Sequence, residues 1–244
     1  MTRMLASVLD AAEAVLAVEA GADIVDLKDP GRGVLGAVAP EALAQALAAV
    51  AGRRPVSATV GDLPMRPDLL AREAARTAAA GVDYVKLGLL PGPGLAECIS
   101  ALGGLAGEAR LVAVLFADRW PYPGAPEALA RAGFAGVMVD TADKSAGGLR
   151  RHLDEAALRA FLREAAASGL FGGLAGSLAR ADIPALLALG PDVLGFRGAL
   201  CAGGSRTAGL DPAALCAVRA AIPAAAAGRS RPDDQPRSMA RSAG

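Results

Sequence analysis

Short apolar runs rich in Val, Ile and Leu alternate with longer Ala/Leu stretches of helical period along most of the chain. The runs at 4–8, 23–28, 55–60, 84–89, 111–116, 136–140, 172–177 and 193–198 read as strands. The stretches at 10–20, 40–51, 67–80, 94–106, 123–132, 154–168, 179–189 and 211–222 read as helices. Eight strands, each followed by a helix, predict a single α/β domain over residues 1–222, a (β/α)8 TIM barrel. A doubly wound open sheet is the alternative, but it rarely shows eight regular units over this length. Residues 223–244 are mostly Ala, Gly, Arg, Ser, Pro and Asp without periodicity and predict a disordered tail.

A weak internal repeat sets the register. Gly21-x-Asp23, Gly81-x-Asp83, Gly133-x-x-Gly136 and Gly190-x-Asp192 each end a helix and open an even-numbered strand. Glycine there relieves the left-handed conformation that closes a helix. The fourth and sixth residues after each glycine are Val25 and Leu27, Val85 and Leu87, Val137 and Val139, and Leu194 and Phe196. All are apolar and are assigned to the face beneath the helix ring. The fifth and seventh are Asp26 and Lys28, Lys86 and Gly88, Met138 and Asp140, and Gly195 and Arg197. Period-two alternation turns these into the barrel, so Asp26, Lys28, Lys86, Asp140 and Arg197 converge near its C-terminal mouth.

Composition singles out the lysines. Of 25 basic residues only Lys28, Lys86 and Lys144 are lysine, and the other 22 are arginine. Guanidinium stays charged, whereas a buried amine can lose its proton and attack a carbonyl. Two ammonium groups close together also lower one another's pKa. One inward lysine is therefore read as a Schiff-base former and the other as a proton carrier. The plainer alternative makes both phosphate-binding cations flanked by ion pairs with Asp26 and Asp140.

The strand ends supply further candidates. Asp140-Thr-Ala-Asp-Lys144 runs into a Gly-rich loop from which Lys144 can reach back over the mouth, whereas Asp143 reads as a solvated turn. Ala175-Gly-Ser-Leu178 and Phe196-Arg-Gly-Ala199 follow strands seven and eight, where many barrels bind phosphate. Gly176 and Gly198 let the backbone approach, Ser177 adds a hydroxyl and Arg197 a charge. Gly31-Arg-Gly33-Val-Leu-Gly36 matches the dinucleotide fingerprint by letter, but no helix opens until about Pro40, so it reads as a mobile loop over the site. Ser57 and Thr59 share a face and either bind substrate or line the barrel, and Asp118 is a candidate polar contact. His152, the only histidine, reads as surface with no triad or metal cluster around it.

A formal net charge of zero argues against nucleic-acid or polyanionic partners. No run of eighteen apolar residues escapes charge or Gly/Pro punctuation, so no membrane span is expected. Cys98, Cys201 and Cys216 are odd in number and far apart, which fits reduced thiols. The N-terminus lacks a signal-peptide layout, so a cytoplasmic protein is expected. The expected partner is a small phosphorylated molecule, in a homo-oligomer.

Together these motifs resemble the (5-formylfuran-3-yl)methyl phosphate synthase family of methanofuran biosynthesis. The matching segments are Gly-Ala-Asp-Ile-Val-Asp-Leu-Lys-Asp-Pro at 21–30 with Leu35-Gly-Ala, Val-Ser-Ala-Thr-Val-Gly-Asp at 56–62, and Asp-Tyr-Val-Lys-Leu-Gly-Leu at 83–89. Val-Asp-Thr-Ala with its following lysine, Leu-Ala-Gly-Ser, and Arg-Gly-Ala-x-Cys-x-Gly-Gly-x-Arg complete it over roughly the first 220 residues. The resemblance implies condensation of two glyceraldehyde 3-phosphates into a furan aldehyde with loss of one phosphate and two waters. It implies Lys28 as the Schiff-base lysine and Lys86 as proton acceptor, with Asp26, Asp140 and Lys144 assisting. Gly176, Ser177, Arg197 and Gly198 would hold a phosphate. The protonated imine is the electron sink, so no cofactor or metal is expected. The loop around Lys144 differs most from the family pattern. Two rival readings are a class I aldolase-type lyase on another sugar phosphate and a non-catalytic phosphometabolite binder.

Overall fold

A computed structural model describes residues 1–223. Eight parallel strands close into a barrel in chain order: β1 (Arg3–Val8), β2 (Ile24–Leu27), β3 (Val56–Thr59), β4 (Tyr84–Leu89), β5 (Leu111–Phe116), β6 (Gly136–Asp140), β7 (Phe171–Leu174) and β8 (Val193–Phe196). The outer ring is α1 (Ala11–Glu19), α2 (Pro40–Val50), α3 (Pro67–Ala79), α4 (Leu95–Gly103), α5 (Ala125–Arg131), α6 (Leu149–His152), α7 (Glu155–Ala167), α8 (Ile183–Leu187) and α9 (Pro212–Ala221). The TIM-barrel expectation holds. The short α6, inside the β6–α7 connection, is an addition to the eight-helix reading. The helix expected over 179–189 is shorter, opening as a 3-10 turn at Arg180–Asp182 before Ile183 starts α8. The tail expectation falls on residues 224–244, outside the described residues.

Both faces of the even strands fall as the alternation requires. Val25, Leu27, Val85, Leu87, Val137, Val139, Leu194 and Phe196 all lie in the large aliphatic core between barrel and helices. Inside the barrel, Leu5, Ile24, Tyr84, Val112, Met138 and Val193 form a separate apolar floor, with Phe171 against it. Polar inward residues therefore start one step above a dry plug.

The Gly-x-Asp repeat has a structural cause. Gly21, Gly81, Gly133 and Gly190 all have φ between 73° and 92°, the left-handed exit from the helix. The aspartate two residues on then caps the preceding strand. Asp23 accepts from Met4 N at 2.7 Å, Asp83 from Val56 N at 2.8 Å and Asp192 from Gly172 N at 2.9 Å. Each carboxylate takes an N–H at the barrel's lower rim that has no strand partner below it. The Gly133 copy has Ala135 at that position and then Gly136, where a Cβ would lie 2.4 Å from the Phe171 ring. Among the described residues no helix is long and apolar enough to cross a membrane.

Asp83→Ala should destabilise the fold by about 1–3 kcal/mol, because it strips Val56 N–H and Arg110 of an acceptor. Asp83→Asn, which keeps one oxygen, should cost less. Denaturant midpoints at constant slope would show this, and equal midpoints for the two variants would contradict the capping role.

Candidate active site

Asp26 lies at the centre of the barrel, with 0% of its surface exposed. Strand pairing places Ser7 and Ser57 opposite it on either side. Ser7 Oγ donates to it at 2.9 Å and Ser57 Oγ at 2.6 Å, while Lys86 Nζ reaches both carboxylate oxygens at 3.0 Å. A buried carboxylate needs this many donors to offset its lost hydration. Ser57 is thereby committed to Asp26. Thr59 is committed too, since its hydroxyl donates to the carbonyls of Leu27 and Gly36. Both residues line the barrel and hold neighbours.

Lys28 sits just past β2, its N–H continuing the ladder to Val8 O. It is 7% exposed and opens onto a cavity of about 530 Å³ at the C-terminal mouth. Lys86 and Lys144 each hold a carboxylate, but Lys28 Nζ has neither a hydrogen bond nor an ion pair among the described residues. Its pKa is pushed down from 10.5 to about 8. Burial is the main cause; Asp140 and Asp26 oppose it, and the charges of Lys86 and Lys144 add to it.

Asp140 ends β6 in the same layer. Burial alone would raise its pKa, but Lys144, Lys28 and the Thr141 N–H outweigh that and hold it at about 2. Lys144, four residues on, folds back to pair with Asp140 and donates to Thr141 Oγ1 at 3.2 Å. Asp118 makes that return possible by accepting from Ala142 N at 2.7 Å and Asp143 N at 2.9 Å. It anchors the loop. Asp143 is a solvated turn closed on Ser145.

Across the cavity lie the loops after β7 and β8. The backbone N–H groups of Gly176, Ser177, Gly198 and Ala199 have no acceptor among the described residues. Gly176, at φ 106°, passes so close to β6 that a Cβ would meet Thr141 N at 3.1 Å. Ser177 adopts a left-handed φ of 48° and lies exposed at the cavity rim. Free donors lining one wall are what an anionic oxygen cluster requires.

Arg197 keeps its expected place at the cavity. It is buried and inward, but every guanidinium N–H is already spent. Nε donates to Arg206 O, and Nη1 to Ser7 O and Glu13. Nη2 donates to Glu13 and to Ala208 O. The side chain is a clamp joining β1, α1 and the loop after β8, with no N–H left for a phosphate. Its partner Glu13 was missed because Asp10-Ala-Ala-Glu13 reads as an ordinary helix start, and Asp10 does accept from Glu13 N.

The sequence model of the 4-HFC-P synthase family matches residues 4–219. The chain belongs to the 4-HFC-P synthase family. A (5-formylfuran-3-yl)methyl phosphate synthase of Methanopyrus kandleri is 38% identical over 219 residues, covering 85% of this chain and 92% of its own. That of Methanosarcina mazei is 36% identical over 217 residues, covering 84% and 93%. A Methylorubrum extorquens relative, given the same name provisionally, is 42% identical over 211 residues, covering 86% and 87%. Among solved structures, Thermus thermophilus phosphoribosyl anthranilate isomerase superposes with a TM-score of 0.61 at 21% identity, over 90% of this chain and 98% of its own. A 3-hexulose-6-phosphate synthase superposes at 0.58 and 20%, over 91% and 100%. These two share the barrel fold.

Two further expectations for this 4-HFC-P synthase family member change. The 31–36 loop, expected to be mobile, is pinned. Asp62 accepts from Val34 N at 2.6 Å and Leu35 N at 2.9 Å, and Leu35 is buried against Val114 and Phe116. His152, expected at the surface, is half-buried with an unpartnered Nε2, and no catalytic neighbour is grouped with it. Among the described residues no His, Cys, Asp or Glu cluster has a metal-ligating arrangement.

The two central lysines should respond oppositely to removal. Lys86→Met strands the Asp26 charge and should cost about 3–5 kcal/mol. For Lys28 the folded amine holds its proton only to about pH 8, the unfolded one to 10.5, so stability rises with pH between these values. Below pH 8 the full penalty of the buried ammonium stands, and Lys28→Met should be more stable than wild type at pH 7. Equal losses in both variants by chemical denaturation would contradict this assignment.

Proposed function

We propose that the protein condenses two glyceraldehyde 3-phosphate molecules into (5-formylfuran-3-yl)methyl phosphate through a Schiff base on Lys28, for methanofuran biosynthesis. The observation that carries this reading is the contrast among three clustered lysines. Only Lys28 has an unpaired amine; burial depresses its pKa, and it opens onto a cavity also lined by the loops with free backbone N–H groups. A neutral amine beside a phosphate site is the equipment for trapping a phosphorylated carbonyl compound. Family membership supplies the product.

In this mechanism Lys28 attacks the carbonyl of the first triose phosphate, in its direct or isomerised form, and loses water to give an iminium. The iminium acidifies the adjacent carbon. Lys86 takes that proton, its own having passed to Asp26, whose two oxygens both touch its Nζ. The enamine adds to the second aldehyde. Asp140 and Lys144 serve proton transfer and alignment at the opposite side of the amine. Elimination of one phosphate, ring closure through a hydroxyl and net loss of two waters then yield the furan and regenerate free Lys28. Gly176, Ser177 and Gly198 hold the retained phosphate through their backbone. Three free thiols, Cys98, Cys201 and Cys216, support a reducing, cytoplasmic setting.

Borohydride added with glyceraldehyde 3-phosphate should reduce an adduct onto Lys28, located by peptide mass spectrometry; an adduct on another residue would sink the assignment. Lys28→Arg should fold and lose turnover. From triose phosphate alone a furan chromophore should appear in the ultraviolet, and a non-aromatic condensation product would instead favour aldolase-type chemistry. The acid limb of kcat/KM should have an apparent pKa of about 8, with activity falling roughly tenfold per unit below it. A limb near 10.5 would mean that Lys28 is not the attacking amine.

A further inference from the structure

The clamp made by Arg197 leaves the phosphate wall without the cation the sequence expected. A pair neutralised by Glu13, with every N–H spent, offers a dianion nothing directional. Two other arginines line the same cavity, Arg180 and Arg206. Arg180 is exposed, and its guanidinium has no hydrogen bond or ion pair among the described residues. Arg206 is held at both ends. Its carbonyl accepts Arg197 Nε at 2.9 Å, and its Nη2 donates to Gly33 O at 2.8 Å. Its other guanidinium N–H groups have no acceptor among the described residues, and it shares the cavity wall with Gly198 and Gly204.

Gly33 is itself immobilised. It sits at φ 136°, and a Cβ there would fall 2.0 Å from Asp62 Oδ2. The next two N–H groups bind that same carboxylate, which places Leu35 in its apolar socket. The segment begins three residues after Lys28, and Asp29 N is bonded to Gly36 O across its base. One guanidinium thus spans from the cavity's anion-facing wall to the loop that flanks the attacking amine.

We propose that Arg206 is the guanidinium of the phosphate site, and that its bond to Gly33 makes it the latch that couples phosphate binding to the order of the 31–36 loop beside Lys28. This rests on reading the cavity as one for a phosphorylated triose. Phosphate held on the free N–H groups of Arg206 fixes the side chain that holds Gly33, so a bound ligand tightens the hold on a loop already seated. That tighter hold keeps water from the imine on the neighbouring lysine.

The test uses inorganic phosphate as the probe on the full-length chain. Wild type should be stabilised thermally by phosphate, and the Val34 and Leu35 amides should exchange more slowly in its presence. In Arg206→Ala the apparent Kd for phosphate should rise tenfold to about a hundredfold, and the two amides should no longer respond. Arg206→Lys keeps the charge and should retain part of the affinity, but a single ammonium does not bridge phosphate and Gly33 O, so amide protection should still be lost. Arg180→Ala should weaken phosphate binding less than Arg206→Ala. Unchanged phosphate affinity in both Arg206 variants, a larger loss in Arg180→Ala, or no phosphate effect on wild type would overturn the phosphate role. Phosphate-dependent amide protection that survives in the Arg206 variants would overturn the latch. Because none of these readouts uses turnover, absence of furan from wild type would count against the reaction while leaving the Arg206 result to stand on its own.

Discussion

A charge placed where water cannot reach must be answered by neighbours already in position, and Asp26 imposes that demand on the whole barrel. Its carboxylate takes hydrogen bonds from β1, β3 and β4 at once. Three strands far apart in sequence are thereby held to one register around it. Moving any of them by one residue would turn Ser7, Ser57 or Lys86 to the other face and leave a buried anion short of donors. Below this layer the barrel is dry and aliphatic. Above it lie Lys28, Asp140 and the cavity, so Asp26 marks the level at which packing gives way to chemistry.

Much of this was legible in the chain. Period-two alternation, anchored on helix-ending glycines, correctly sorted the even-strand residues into outer core and interior, because β-strand geometry leaves no other choice for a closed parallel sheet. Asp26, Lys28, Lys86 and Asp140 followed from the same count. The Gly-x-Asp repeat was visible as a pattern, and its cause needed three dimensions: the carboxylates cap N–H groups of strands some twenty residues away.

What the count misses is where a long side chain ends. Arg197 was correctly turned inward, but its guanidinium meets Glu13, 184 residues earlier. Nothing local to either residue announces that encounter. The 31–36 loop failed for a related reason. Glycine and lack of periodicity read as freedom, yet Asp62 and Arg206, from two other connections, hold it. Sequence gives strand direction through short-range sterics, whereas loop order depends on contacts with distant partners.

The scarcity of lysine acquires a physical meaning from the pairing pattern. A site with three amines could in principle deprotonate any of them, and catalysis by imine formation requires that one be singled out. Carboxylates do the sorting here. Asp26 takes Lys86 with both oxygens and Asp140 takes Lys144, so each of those two amines already has a carboxylate partner. Lys28 has no such partner, and burial lowers its pKa further than the two nearby carboxylates can restore. An arginine at any of these positions would stay charged and defeat the selection. The unpaired amine is thus defined by the pairing of the other two, and removing either carboxylate would leave a second amine without its partner as well as change how stable the barrel is.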